Sequence, residues 1–256
     1  MKRITTPIVA LVVFVFTAAI IPLGRPEDVG LSSDRLQRIN QTVNRYIADR
    51  QFAGAVTLVA RKGRVVHFEP HGLMDAETKT PMRKDAIFRI ASMTKPVTGV
   101  AVMMLLEEGK VRLSDPVSRF LPEFKDMQVG SEGALAPAAR PLTVRDLLTH
   151  TGGIGTSEAA SRVVSSAPLR DATKDTLATY IPRLAALPLE FQPGSAWKYS
   201  ALSGIDTLGR IVELASGMTF DQFLKARVFD PLGMKDTSFY PDAPRMPRVP
   251  TIYRRT

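Results

Sequence analysis

Two stretches of this sequence place a serine three residues ahead of a lysine, Ser92-Met93-Thr94-Lys95 and Ser195-Ala196-Trp197-Lys198. On the first turn of a helix, positions i and i+3 share a face, so the lysine amine can reach the serine hydroxyl and draw off its proton. That is the chemistry of an activated nucleophile, in which a weak alcohol becomes able to attack a carbonyl carbon. A serine at a helix start also holds its own backbone N–H at the positive end of the helix, where it can steady the oxyanion that forms. A lysine acting as base must be uncharged, which calls for desolvation or neighbouring charge.

The spacing alone is a weak signal, and its surroundings decide between the two copies. Ser92 is followed by Val97, Val100, Ala101, Met104 and Leu105, an apolar helical series that ends at Gly109. Ser195 follows Gln192-Pro193-Gly194 and no apolar period succeeds it, so it is read as a loop residue. Other routes to hydrolysis have less to offer. The G-x-S-x-G elbow is absent. The histidines are His67, His71 and His150, with no H-E-x-x-H, and the chain has no cysteine. His67 and His71 straddle an expected strand end and are read as ordinary surface histidines, while His150 is expected to support a turn. No metal and no cofactor is implied.

The elements that must position Ser92 can be read from periodicity. Ser32 and Ser33 offer caps to an amphipathic helix of about four turns carrying Leu36, Ile39, Val43, Tyr46 and Ile47. The β-prone runs 55–60 and 65–68 are joined by Arg61-Lys62-Gly63-Arg64, where Gly63 can take the positive φ of a tight hairpin turn. A polar loop punctuated by Gly72 and Pro81 leads to the Ser92 helix. From about 91 to 240 the pattern is helical and loop-rich: Thr143 caps a short helix 144–148, 206–215 forms another closed by Gly217, and 220–229 a third. Strand signal nearly vanishes after residue 91, although a two-stranded hairpin is marginal alone.

Several segments carry a specific likeness. Phe88-Arg89-Ile90-Ala91-Ser92-Met93-Thr94-Lys95-Pro96 resembles the nucleophile segment of class C β-lactamases and family VIII carboxylesterases, within the β-lactamase and penicillin-binding-protein superfamily. Residues 107–117, Leu147-Leu148-Thr149-His150-Thr151-Gly152-Gly153 and Pro193-Gly194-Ser195-Ala196-Trp197-Lys198-Tyr199-Ser200 resemble further family segments in the family's order. The resemblance covers about residues 30 to 240. It implies Ser92 as nucleophile, Lys95 as base and Tyr199, head of a Tyr-x-Asn motif, as the assisting hydroxyl. The asparagine position is Ala201. Loss of that amide favours an ester substrate over a β-lactam or peptide. The family's third motif, a Lys-Thr-Gly, His-x-Gly or Trp-x-Gly triplet on a C-terminal strand that borders the nucleophile, does not follow Tyr199.

The resemblance implies an α/β, β-lactamase-like two-lobed fold, an antiparallel sheet lobe beside a helical lobe, with the sheet lobe incomplete in this chain. Residues 25–256 are expected to form one serine hydrolase domain, truncated before the third motif and for that reason a poor catalyst or an inactive one. The expected activity is hydrolysis of carboxylic esters through an acyl-enzyme. The rivals are a β-lactamase or D-alanyl-D-alanine carboxypeptidase, and a non-catalytic cell-envelope protein.

Lys2 and Arg3 precede an apolar run from Ile8 to Ile21, the form of a signal-peptide n-region and h-region, so residues 1–24 are read as a leader or an N-terminal anchor. A periplasmic or secreted location is expected, with membrane contact only through that segment if it stays uncleaved. The net charge of +9 could attract polyanions. Its basic residues are scattered among acids, however, so no nucleic-acid partner is expected. The expected partner is a small-molecule ester or β-lactam-like substrate.

Overall fold

In the computed structural model, residues 21–130, 135–155 and 174–253 are described. The leader through residue 20 lies outside them. The chain separates into two compact units: residues 1–88, 231–233 and 241–256 form one, and residues 89–230 and 234–240 the other.

The first unit is built on helix α1 (Ser33–Ala48) and a three-stranded antiparallel sheet, β1 (Gly54–Arg61), β2 (Arg64–Asp75) and β3 (Thr80–Pro81), in the order β1-β2-β3. The Ser32 hydroxyl accepts the Arg35 N–H and starts α1 as expected. Leu36, Ile39, Val43 and Ile47 are half-buried on the face toward the hairpin. Tyr46, placed on that stripe by its spacing, is instead exposed and lies 6.3 Å from the Phe52 ring. The hairpin turn is Lys62-Gly63 with both φ positive, the primed turn whose twist matches antiparallel strands.

Strand β2 runs seven residues past the expected end at Phe68, through Pro70 and through the Gly72 read as loop punctuation. The reason lies at Gly72, whose φ of 66° and missing Cβ let the strand lie against the Ala53 carbonyl oxygen. Glycine here permits close backbone approach and does not end the strand. Upstream, the Gly24 N–H bonds to the Val65 carbonyl and the Val65 N–H to that of Pro22. The proline-rich C-terminal stretch, which has no periodic pattern, docks by single contacts. The Ile87 N–H bonds to the Arg248 carbonyl, and Thr251 bonds through its N–H to Met74 and through its hydroxyl to Asp75.

His67 and His71 are buried, correcting the expectation of surface histidines. They lie on one face of β2, and both Nε2 atoms meet the Thr57 hydroxyl of β1, at 2.7 and 3.0 Å, while His71 Nδ1 faces Asn44 Oδ1 of α1 at 3.2 Å. Strand period two puts positions 67 and 71 on the same side. One chain of donors satisfies these three contacts: His67 Nε2–H to Thr57 Oγ1, Thr57 O–H to His71 Nε2, and His71 Nδ1–H to Asn44. His71, which accepts on Nε2, is then neutral.

The second unit holds the hydrophobic core. Helix α2 (Thr94–Glu107), short strands β4 (Gln128–Val129) and β5 (Ala136–Pro137), α3 (Val144–Leu148), α4 (Leu177–Ala185), α5 (Ser203–Ser216) and α6 (Phe220–Leu224) follow in order, the last running into a single π-helical turn at Lys225–Phe229. Leu105 of α2, Leu147 of α3, Ile181 of α4, Leu208 and Ile211 of α5 and Phe223 of α6 are fully buried together with Phe124 and Leu142. Each such side chain contributes about 1.5 to 3 kcal/mol by leaving water. Helix α3 starts in a complete capping box between Thr143 and Asp146, and Asp146 also takes a two-pronged bond from Arg140. Helix α4, unforeseen from the sequence, has its own capping box at Thr176 and Thr179 and buries Tyr180, Ile181 and Leu184. Pro182 inside it masked an otherwise regular apolar period.

Candidate active site

All three expected catalytic side chains belong to the second unit. The segment leading to Ser92 does not enter α2 directly, because Ala91 takes a φ of 45° and a 3₁₀ turn spans Ala91–Met93 before α2 begins at Thr94. A non-glycine residue in the left-handed region costs local strain, of order 1 kcal/mol, that the surroundings must hold. Here it sits immediately before the serine. The helical register still carries Lys95 to the face of Ser92: Lys95 Nζ donates to Ser92 Oγ over 3.2 Å. A second bond, 2.7 Å long, runs from Lys95 Nζ to the backbone carbonyl of Ala201.

Tyr199 arrives from 107 positions away in sequence, its hydroxyl donating to Ser92 Oγ over 2.8 Å. The Lys95 amine lies 4.9 Å from the centroid of the Tyr199 ring. Hydrogen bonding with Lys95 first, and with Ser92 next, holds the Tyr199 phenol below the ordinary tyrosine range. The site is open, with Tyr199 44% exposed and Trp197 66% exposed. The second Ser-x-x-Lys is a surface loop, as expected: the Ser195 N–H closes a turn on the Gln192 carbonyl and Lys198 pairs with Glu190 at 2.9 Å.

The strand of chain bearing Tyr199 is laid against the segment 150–153 by backbone bonds. The Lys198 N–H bonds to the His150 carbonyl, the Gly194 N–H to Thr151 and the Glu190 N–H to Gly153. His150, at φ 58°, accepts the Ser200 N–H on its Nδ1 at 3.2 Å, and its ring lies 4.9 Å from that of Tyr199. Nothing in the residue types marks the Ala201 carbonyl as a lysine anchor, since every residue carries a main-chain oxygen. Among the described residues no cluster of three or more His, Cys, Asp or Glu is arranged to hold a metal ion. The arrangement can take a proton from Ser92 Oγ and return one to a leaving group within reach of the same three atoms.

Residues 39–256 match the family described as Beta-lactamase. The chain is 38% identical over 219 residues to Esterase EstB of Burkholderia gladioli, covering 83% of this chain and 54% of that protein. It is 34% identical over 174 residues to Lovastatin esterase of Penicillium rubens, covering 64% of this chain and 42% of that one. Among solved structures it is similar to EstCE1, a hydrolase with promiscuous acyltransferase activity, at a TM-score of 0.73 and 30% identity over 87% of this chain and 57% of that chain. It is similar also to unliganded simvastatin synthase LovD from Aspergillus terreus, at 0.65 and 28%, over 79% and 52%. The chain thus spans about half the length of the relatives it matches.

Proposed function

Because the chain belongs to the beta-lactamase family, we propose that it is a serine hydrolase acting on small carboxylic esters through an acyl-enzyme, with Ser92 as nucleophile, Lys95 as base and Tyr199 as the assisting hydroxyl. The observation that carries this reading is the convergence on Ser92 Oγ of Lys95 Nζ at 3.2 Å and Tyr199 Oη at 2.8 Å. Ser92 Oγ bonds to the ester carbonyl carbon while its proton passes to an unprotonated Lys95. The tetrahedral intermediate then collapses, the C–O bond to the alcohol breaks, and the proton is delivered to the departing alkoxide by way of Lys95 and the Tyr199 hydroxyl. Water repeats the sequence on the acyl-enzyme and frees the acid.

An ester substrate is supported by the esterases among the relatives and by Ala201, which offers the site a backbone carbonyl bonded to Lys95 and no side-chain amide. The test is covalent labelling with a fluorophosphonate, read by intact mass and peptide mapping. Label is expected on Ser92, to vanish in Ser92→Ala and to persist in Ser195→Ala. Equal loss in both variants would overturn the assignment. Hydrolysis of p-nitrophenyl butyrate beside that of nitrocefin separates ester from β-lactam as the preferred substrate.

A further inference from the structure

Tyr199 is held in a loop, and a loop tyrosine 44% exposed to solvent needs a support if its hydroxyl is to stay on Ser92. Its neighbours fasten the backbone on the far side, where the buried Ser200 hydroxyl donates to the Ile154 carbonyl and accepts the Gly204 N–H, and Lys95 holds the Ala201 carbonyl. The support that bears on the Tyr199 ring itself comes from His150. This residue takes a left-handed backbone conformation, which turns its carbonyl to the Lys198 N–H and its ring to the Ser200 N–H and the Tyr199 ring at once. We propose that His150 is the positioning residue of this site: by accepting the Ser200 N–H on Nδ1 and packing against the Tyr199 ring, it holds the Tyr199 hydroxyl on Ser92 Oγ. The proposal rests on the reading of Ser92, Lys95 and Tyr199 given above.

The geometry also fixes the protonation state that does this. A backbone N–H can only donate, so His150 Nδ1 must carry a lone pair, and its single ring proton is on Nε2. An imidazolium has no lone pair and cannot make the bond. The charged or titratable groups facing the ring are Lys95 from α2 and Tyr199, with the Lys198–Glu190 ion pair beside its backbone. Burial first, and Lys95 second, hold the His150 imidazole below its ordinary value of 6.5, which keeps the required form at neutral pH. Acid therefore removes the support: protonation at Nδ1 ejects the Ser200 N–H and frees the Tyr199 loop. The role acts on chemistry more than on binding, because misplacement of a reacting group by about 1 Å costs on the order of 10²-fold in rate.

One chain carries a built-in reporter, since Trp197 is its one tryptophan and its ring stands edge-on to His150 at 6.3 Å. Imidazolium quenches indole emission more strongly than imidazole does. Emission from the full chain is expected to fall, between about pH 8 and about pH 5, through one midpoint below the ordinary histidine value. That transition should be absent in His150→Asn and present in His71→Gln. In parallel, His150→Phe, which keeps a ring but loses the acceptor, is expected to slow fluorophosphonate labelling of Ser92 by about 10- to 100-fold with the half-saturating probe concentration within about twofold of wild type. His150→Asn, whose Oδ1 can take the place of Nδ1, should label within about threefold of wild type at pH 8 and show no loss of rate over the pH range of the His150 transition. An emission curve without a His150-dependent midpoint overturns the proposal, as does His150→Phe labelling at the wild-type rate or His150→Asn failing as fully as His150→Phe. Labelling that persists in Ser92→Ala, or a wild-type chain that takes up no probe, instead sinks the nucleophile reading on which it rests.

Discussion

Ser92 receives hydrogen bonds from an amine and a phenol that reach it by different means. Lys95 is placed by helical register and steadied by the Ala201 carbonyl, whereas Tyr199 depends on a loop docked against 150–153. The two should therefore respond differently to substitution. Lys95→Met is expected to abolish acylation, because it removes the base and leaves the Ala201 carbonyl without its donor. Tyr199→Phe removes only the oxygen from a partly exposed ring, so the fold should persist, while turnover of p-nitrophenyl esters falls by about 10²- to 10⁴-fold with little change in KM. The measurement is steady-state kinetics with circular dichroism as the fold control, and a Tyr199→Phe rate near wild type would remove the phenol from the proton path.

At the level of elements, the two capping boxes and the histidine network are where sequence detail becomes stability. Asp146 is buried, and although burial alone would raise its carboxyl, Arg140 and Thr143 pull it down to about 2. A carboxylate lowered on folding contributes stability that is present above its unfolded value of 3.8 and is lost as pH falls through about 2. Asp146→Ala should cost about 1 to 2 kcal/mol at neutral pH, a cap worth about 1 plus the loss of the bond to the exposed Arg140 guanidinium. Urea titration of the variant checks the magnitude, and repetition at about pH 2 should show the difference shrinking. The histidine pair responds in the same direction, in a higher pH window. Burial first, and His67 second, hold His71 below 6.5, so the unfolded chain binds its proton more readily and acid favours opening. The hairpin is expected to keep full stability above the ordinary histidine value and to lose it as pH falls below, seen as faster amide exchange in β1 and β2 while the amides of α5 stay protected. Exchange in β1 and β2 that ignores pH across this window would mean that the network tolerates charge.

For the molecule as a whole, apolar burial is unevenly shared. The fully buried cluster lies entirely in the helical unit, while α1 has no fully buried residue and β1 stands at an edge of its sheet. Opening free energies follow such differences, so native-state hydrogen exchange should find α2 and α5 among the slowest amides and α1 and β1 among the fastest of the regular elements. Comparable protection in α1 and α5 would contradict this. At this scale we also propose export. The basic Lys2-Arg3 end and the apolar run behind it support a cleaved leader, and N-terminal sequencing of the exported protein is expected to begin after about residue 19; a sequence starting at Met1 would refute cleavage.

The features legible in the sequence were those written in short-range pattern. Helix α1 with its Ser32 cap, the Lys62-Gly63 turn, the Thr143 box, the Gly217 stop, and Ser92 before a helix with Ser195 in a loop all follow from residues within about one or two turns of each other, where steric preference and periodicity act directly. The likeness of the Tyr199 segment to a known family named the third member of the site without placing it. The remaining features depend on segments far apart in sequence meeting in the folded chain. The tertiary structure buried His67 and His71 by setting Thr57 and Asn44 opposite them, carried β2 through Pro70 and Gly72 because Ala53 lies beside it, and turned the Ala201 carbonyl onto Lys95. It also set the His150 ring against Tyr199 across 49 residues of sequence. Such contacts involve backbone atoms common to every residue, or polar side chains whose burial depends on a partner far along the chain, and neither leaves a periodic trace for the sequence to show.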